Sequence, residues 1–315
     1  MNAKYMKLMV CAALFYTVQA KAQGQAVLSV NTDARTAAMG NVLTGSEGMY
    51  LYSNPPALFY SGKKFTADAS ASVFEKDGSA EGVFGLYTAS VGCKLAGRHA
   101  AFTGFKYAGG LKFKGYDSMG EPTKDYKPYD WTIDFGYAYM IGNGFSAYAT
   151  GSVIFSHLSK NATGGAFTIG GVYRKDRIMI ARKPASLILN AKVGAMGPKL
   201  DYGNGFKTSL PTHMAVGGEL MTEVAPKHKL GTALAMRYFF QPSESKVMMA
   251  GGGVEYTYND MVSVRTGYEY GDHDLGHFTV GAGFKHNGFR FNGAYIMKTS
   301  DMGNSCFMAG LGLDF

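Results

Sequence analysis

Residues 261–296 read MVSVRTGYEYGDHDLGHFTVGAGFKHNGFRFNGAYI. In the first ten, Val262, Val264, Thr266, Tyr268 and Tyr270 fall on one side of an extended chain, and Ser263, Arg265, Gly267 and Glu269 on the other. The next run sets Phe278, Val280, Ala282 and Phe284 against Thr279, Gly281, Gly283 and Lys285; the third sets Phe289, Phe291 and Tyr295 against Arg290 and Asn292. A period of two belongs to strands, whose successive side chains leave opposite faces. A strand with one apolar face needs either a second sheet or lipid against it. Two features favour lipid. Runs of about ten residues exceed the usual five or six and match a tilted transmembrane strand. The opposite face is rich in glycine and charge, as a crowded, wet lumen would be.

The same alternation extends from about residue 65 onward. Strands are expected near 65–75, 81–92, 98–107, 131–141, 145–157, 164–174, 186–197, 211–221, 228–239, 246–257, 261–270, 275–286, 288–297 and 305–315, fourteen in all. The fold class expected is therefore all-β: a transmembrane antiparallel β-barrel of about 14 strands. With a periplasmic N-terminus, one set of connections is short and rich in turn residues, including IGNG (141–144), YND (258–260) and HNG (286–288). The other set contains the long segments 108–130 and 198–210. Short turns on one side and long loops on the other is the outer-membrane pattern, with both termini in the periplasm. The basic connection 174–186 is long yet falls on the short side, so it is either a docking loop or a slip of register. The last strand, FMAGLGLDF, ends on Phe315 and resembles the barrel assembly signal of outer-membrane proteins.

Lys4 and Lys7, the apolar run 8–18 and the small residues of AKA (20–22) have the layout of a secretory signal peptide, with cleavage expected between Ala22 and Gln23. No apolar run of about 18 residues follows, so no transmembrane helix is expected. The chain has 43 Gly, 21 Tyr and 21 Phe, a composition that suits a barrel. Formal charge is +8, and removing Lys4, Lys7 and Lys21 leaves +5. That scattered excess suits an anionic membrane surface and gives no basic, aromatic-laced patch for nucleic acid.

No catalytic motif stands out, no cofactor is expected, and the reading is non-enzymatic. Asp272, His273, Asp274 and His277 could ligate a divalent metal on a hairpin; a polar loop tip is the favoured reading. Cys93 and Cys306 fall at opposite rims of the expected barrel, too far apart for a disulfide. In the long segment 108–130 and beside it, Tyr116, Tyr126, Tyr129 and Trp131 are of the type enriched at protein interfaces, although Tyr129 and Trp131 also suit an aromatic girdle.

Residues 23–62 differ in character from the strands. Asp33 is placed to cap a short helix from Ala34 to Met39 that Gly40 stops, with Arg35 inside it. Asn54, Pro55 and Pro56 impose an extended turn. An apolar segment of this length without a strand partner is expected to fold into the lumen as a hatch. Expected organisation is thus a signal peptide at 1–22, a hatch at 23–62 and a barrel at 63–315.

DARTAAMGNV (33–42), YSNPPAL (52–58), LPTHMAVGGEL (210–220), VSVRTGYEYG (262–271) and VGAGFKHNGFRFNGAY (280–295) together resemble the PorV/PorQ family of outer-membrane barrels, relatives of the FadL transporters. The resemblance covers residues 27–315. It implies a fourteen-stranded barrel with an N-terminal hatch. It also implies a protein-binding role in type IX secretion or surface assembly, with secretion-machinery proteins, exported cargo and outer-membrane lipids as partners. The relationship to FadL allows an alternative, passive transport of hydrophobic small molecules. For that role Arg265, Glu269, Lys285 and Arg290 are a poor lining; they read instead as an ion-pair lattice within the barrel.

Overall fold

The computed structural model describes residues 26–42, 45–76, 81–95, 97–116, 121–158, 160–203, 205–243, 246–272, 275–300 and 304–315. In chain order the strands are β1 (Phe65–Phe74), β2 (Glu81–Lys94), β3 (His99–Tyr116), β4 (Pro122–Tyr126), β5 (Tyr129–Gly142), β6 (Phe145–His157), β7 (Asn161–Ile180), β8 (Lys183–Met196) and β9 (Leu200–Asp201). There follow β10 (Lys207–Thr208), β11 (His213–Ala225), β12 (His228–Phe239), β13 (Val247–Tyr258), β14 (Val262–Gly271), β15 (His277–His286), β16 (Phe289–Lys298) and β17 (Cys306–Asp314). Leaving out β4, β9 and β10, the strands pair antiparallel with their neighbours, and β17 pairs back onto β1. The result is the closed fourteen-strand barrel that the alternation predicts.

The closing seam accounts for the alternating apolar residues of β17. Thr66 lies opposite Asp314 and Phe74 opposite Cys306. Phe65 N donates to Phe315 O at 2.8 Å, Phe315 N returns to Phe65 O at 3.0 Å, and the two rings stack 5.5 Å apart. Phe307, Leu311 and Phe315 point out and are more than half exposed, while Met308 points in and is 1 % exposed. The other strands follow the same rule: along β14, Val262, Val264, Tyr268 and Tyr270 are exposed, and Ser263, Arg265 and Glu269 are buried. The large apolar side chains therefore face outward and the charges inward, the reverse of a soluble sandwich.

The short connections have the left-handed pairs that tight hairpins require. Asn259 and Asp260 take φ of 53° and 55°, and Asn287 and Gly288 take 49° and 88°. The expected loop at 174–186 is instead a continuation of the β7–β8 hairpin, turned by Ala181 and Arg182 at φ of 48° and 64°. Neither residue carries the Asn-Gly signature, and register shifts between Lys175 and Ile178, which hides the strand period. The segment 108–130 also gains strand: β3 runs to Tyr116 and pairs with β4, and Lys112 bridges Glu81 and Asp125 at 3.3 and 2.8 Å. Cys93 lies opposite Phe65 and Cys306 opposite Phe74, at the two ends of β1, and both are free thiols.

Candidate functional site

The described residues between 26 and 61 lie inside the barrel, against inward-facing side chains of strands around its circumference. Two helical turns, α1 (Ala26–Ser29) and α2 (Ala34–Ala37), are followed by a 3-10 helix at Pro55–Tyr60. Asp33 caps α2, accepting from Arg35 N at 3.1 Å, and Gly40 ends the coil at φ 76°. Asn54 precedes the helix at φ −155° and ψ 83°, and Pro55 and Pro56 open the 3-10 helix rather than form the extended turn expected. Proline fits there because the first helical N–H groups need no partner.

Charge fixes the segment in place. Arg35 donates four hydrogen bonds, at 3.0 and 2.9 Å to Glu219 of β11 and at 3.1 and 2.8 Å to Glu255 of β13. Glu255 is shared with Arg265, and Ser46 donates to Glu219 at 2.6 Å. Asn41 donates to Glu269 at 2.9 Å, and Arg237 pairs with the same carboxylate at 2.5 Å. Two strands further round, Arg290 of β16 donates to Gly48 O at 2.9 Å while pairing with Asp68 and Asp314 at 2.8 and 2.9 Å. Lys285 pairs with Glu47. Lys106 donates to Val27 O at 2.7 Å, and Tyr52 donates to Asp134 at 2.8 Å. The lattice expected from Arg265, Glu269, Lys285 and Arg290 is thus present, and it ties wall to segment as well as strand to strand.

Shape fixes the segment too. Gly251, Gly253 and Gly267 form a hollow on β13 and β14 into which Met39 and Gly40 fit. A Cβ on Gly251 would come within 1.9 Å of Gly40 O, one on Gly253 within 2.5 Å of Met39 O, and one on Gly267 within 2.2 Å of Gly40 N. No real side chain tolerates such approaches, so the backbone contact requires glycine at all three.

The segment separates two cavities. The one nearer the long loops, of about 90 Å³, is lined on the segment by Leu28, Val30 and Leu51 and on the wall by Lys106, Lys192, His213 and Arg237. Lys192 has no ion-pair partner among the described residues. Beyond it, Leu28 joins an apolar cluster of Ile154, Ala166, Leu200, Tyr202 and Leu210 at the loop end. The second cavity, of about 230 Å³, lies toward the short turns and is bordered by Arg35, Glu47, Tyr60, Arg174 and Lys285.

Of the aromatics singled out in the sequence, Trp131 and Tyr129 point outward and stack in a row. Trp131 lies 4.0 Å from Phe155, and Tyr129 lies 5.1 Å from His157. Tyr126 sits apart on β4 against Phe113 at 5.3 Å. Tyr116 belongs to β3, paired in backbone register with Pro122. Asp272 accepts from Met248 N at 2.8 Å, and His277 is 3.9 Å from Glu269; His273 and Asp274 lie outside the described residues. Among the described residues no cluster of three His, Cys, Asp or Glu side chains is arranged for a metal. Ala22 and Gln23 also lie outside the described residues. Sequence reasoning missed the roles of Glu219, of Thr279, whose Oγ1 accepts from Gly40 N at 2.9 Å and donates to Ala38 O at 3.0 Å, and of the three seat glycines; their one signal was small or polar residues recurring on the inward face of strands.

No family model matches the chain, and no curated protein matches it in sequence. Solved structures do match. The chain is similar to the toluene transporter TbuX of Ralstonia pickettii, with a TM-score of 0.61 and 14 % identity over 90 % of this chain and 98 % of that one. It is similar to the toluene transporter TodX of Pseudomonas putida, with a TM-score of 0.60 and 13 % identity over 94 % and 98 %. A FadL homologue of Pseudomonas aeruginosa matches with a TM-score of 0.50 and 12 % identity over 91 % and 99 %. The fold is that of the FadL-like fourteen-strand barrels. At these identities the likeness is one of architecture.

Proposed function

We propose that this chain is an integral outer-membrane barrel that passes small hydrophobic molecules passively through its lumen, with residues 26–61 acting as the hatch. The observation that carries this reading is the division of the lumen by that segment into a loop-side cavity under an apolar cluster and a polar cavity toward the short turns. The outward face supports the membrane setting. Leu234, Phe289, Leu311 and Phe135 are 72, 63, 62 and 56 % exposed, and water would leave such a belt unburied. Structural neighbours named as toluene transporters favour small hydrophobic cargo.

A molecule would enter through the apolar cluster and lodge beside Leu28, Val30 and Leu51. The loop-side cavity is smaller than the roughly 300 Å³ at which ligand pockets begin, so cargo needs the hatch to yield. Displacing residues 35–41 would connect the two cavities and release cargo toward the termini, which this reading places in the periplasm. Lys192 and His213 would meet any polar end the cargo carries.

The ion-pair lattice favours a second reading. A hatch held by Arg35, Arg290 and Lys285 suits a sealed barrel acting through its long loops. That would be a PorV/PorQ-like component of type IX secretion, with Tyr116, Tyr126, Tyr129 and Trp131 near the contact surface. Uptake of a radiolabelled monoaromatic hydrocarbon by cells expressing the chain separates the two. Transport predicts an initial rate several-fold above that of control cells. An unchanged rate, with an exported protein co-purifying through segment 108–130, overturns it in favour of the second reading.

A further inference from the structure

The β7–β8 hairpin runs past the β5–β6 hairpin beside it and past its own pairing with β11. Tyr173 is the last residue of β7 opposite β6, and Arg174 N donates to Gly144 O at 2.8 Å. On the other edge β11 follows β8 only as far as Ala185, opposite Thr222. From Lys175 onward the hairpin therefore has no strand on its β6 side, and from Pro184 to the turn it has no paired strand on either side, leaving residues 175–184 as a two-stranded ribbon at the rim. At about 3.3 Å per residue its tip stands roughly 15 Å beyond the β5–β6 turn, while on the other side the β11–β12 hairpin runs on to Ala225 and His228 without pairing to it.

The ribbon is basic. Lys175, Arg177, Arg182 and Lys183 are exposed and have no acidic partner among the described residues. The one acid within the ribbon, Asp176, is held by Arg174 at 2.9 Å. Arg174 itself lies over the Tyr60 ring, 4.3 Å from its centre.

The ribbon also continues the outward face of the barrel. Lys175 lies opposite Leu187, Ile178 opposite Ala185 and Ile180 opposite Lys183. Cross-strand partners share a face, and Leu187 shares its face with Leu189, which points outward at 45 % exposure. The surface that is apolar along the barrel thus becomes alternately apolar and cationic where it leaves the rim. Polar headgroups occupy the few ångströms beyond the hydrocarbon core. Pro184, the charges and the register shift guard both edges against strand addition, so the ribbon is not built to pair with a foreign strand.

We propose that the β7–β8 ribbon binds the anionic headgroups of phospholipids in the leaflet at the short-turn end of the barrel. This rests on the membrane-spanning reading above. Ile178 and Ile180 lie against the headgroup boundary, and the four free cations take lipid phosphates. Charge of one sign continuous with the lipid-facing surface favours the host membrane over a soluble acidic protein.

The test reconstitutes the full chain in nanodiscs of phosphatidylethanolamine with about one phosphatidylglycerol in ten. The lipids retained after mild detergent extraction are then counted by mass spectrometry. Wild type should hold phosphatidylglycerol at least about fivefold above its input, an enrichment that salt reduces. The K175Q/R177Q/R182Q/K183Q variant should fall to the input ratio while keeping the heat-dependent gel mobility of a folded barrel. Equal enrichment in both proteins, or none in wild type, overturns the proposal. A variant that loses a co-purifying acidic protein while its lipid enrichment stays unchanged overturns it in favour of a protein partner. Failure of wild type to enter nanodiscs at all overturns the membrane-spanning reading, and this proposal with it.

Discussion

Arg35→Ala removes the cation that joins the N-terminal segment to two strands at once. Arg35 is 4 % exposed and donates four hydrogen bonds to Glu219 and Glu255. Removing one partner of a buried ion pair costs about 3–5 kcal/mol, because the charge left behind stays desolvated. Here Arg265 still pairs with Glu255 and Ser46 still donates to Glu219, which points to the lower end, about 3 kcal/mol. The cost falls on docking of the segment rather than on the barrel, whose strand ladders do not involve Arg35. Opening of the segment should become favourable by roughly a hundredfold. Hydrogen exchange read by mass spectrometry on protein in detergent measures it directly. The amides of Ala37 and Ala38, which bond to Asp33 O and Ala34 O, should lose about a hundredfold in protection. Amides of β13 and β14 should keep theirs. Protection of Ala37 and Ala38 within about threefold of wild type would refute the reasoning, since Arg35 would then not be holding the segment.

Two further substitutions probe the same docking. Gly267→Val places a side chain where Gly40 N would lie 2.2 Å from its Cβ, so the segment must leave its seat; exchange of Gly40 and Asn41 amides should rise by an order of magnitude or more. Asp33→Ala loses the α2 cap, about 1 kcal/mol, while Asp33→Asn keeps it. Burial pushes the Asp33 carboxyl above its ordinary range, only partly offset by Arg35. The folded chain thus holds that proton more tightly than the unfolded one. The stability this supplies is complete at low pH and is lost as pH rises through the folded value. Melting in detergent should therefore show wild type losing ground to Asp33→Asn as pH rises across that window.

Most of the barrel was legible because one physical rule governs it. An apolar side chain at every second position is demanded wherever lipid wets one face, and β14 to β17 obey it with few exceptions. The rule fails where no lipid is present. Beyond the rim, β7 and β8 run on through Ala181 and Arg182 with charges on both faces, and a strand there reads as a loop. The lumen was half legible. Arg265, Glu269, Lys285 and Arg290 announced an ion-pair lattice by their place on the inward face. Their partners in residues 26–61 depend on how the segment turns, which a few residues such as Gly40 and Pro55 decide. The seat for Met39 and Gly40 could not be read, because GGG in a strand says only that something approaches closely. What approaches lies more than two hundred residues away in the chain.

Locking the segment tests the transport account most directly. The Cβ of Ala34 stands 3.7 Å from where a Cβ on Gly310 would lie, close to the separation of about 3.8 Å found across disulfides. Ala34→Cys with Gly310→Cys, in a chain also carrying Cys93→Ser and Cys306→Ser, should fasten α2 to β17 on oxidation. Uptake of a radiolabelled monoaromatic hydrocarbon is then measured in the reduced and oxidised states of the same cells. The account predicts uptake with the thiols reduced, loss to background once the cross-link is complete, and recovery on reduction. Undiminished uptake through a fully cross-linked barrel would contradict it.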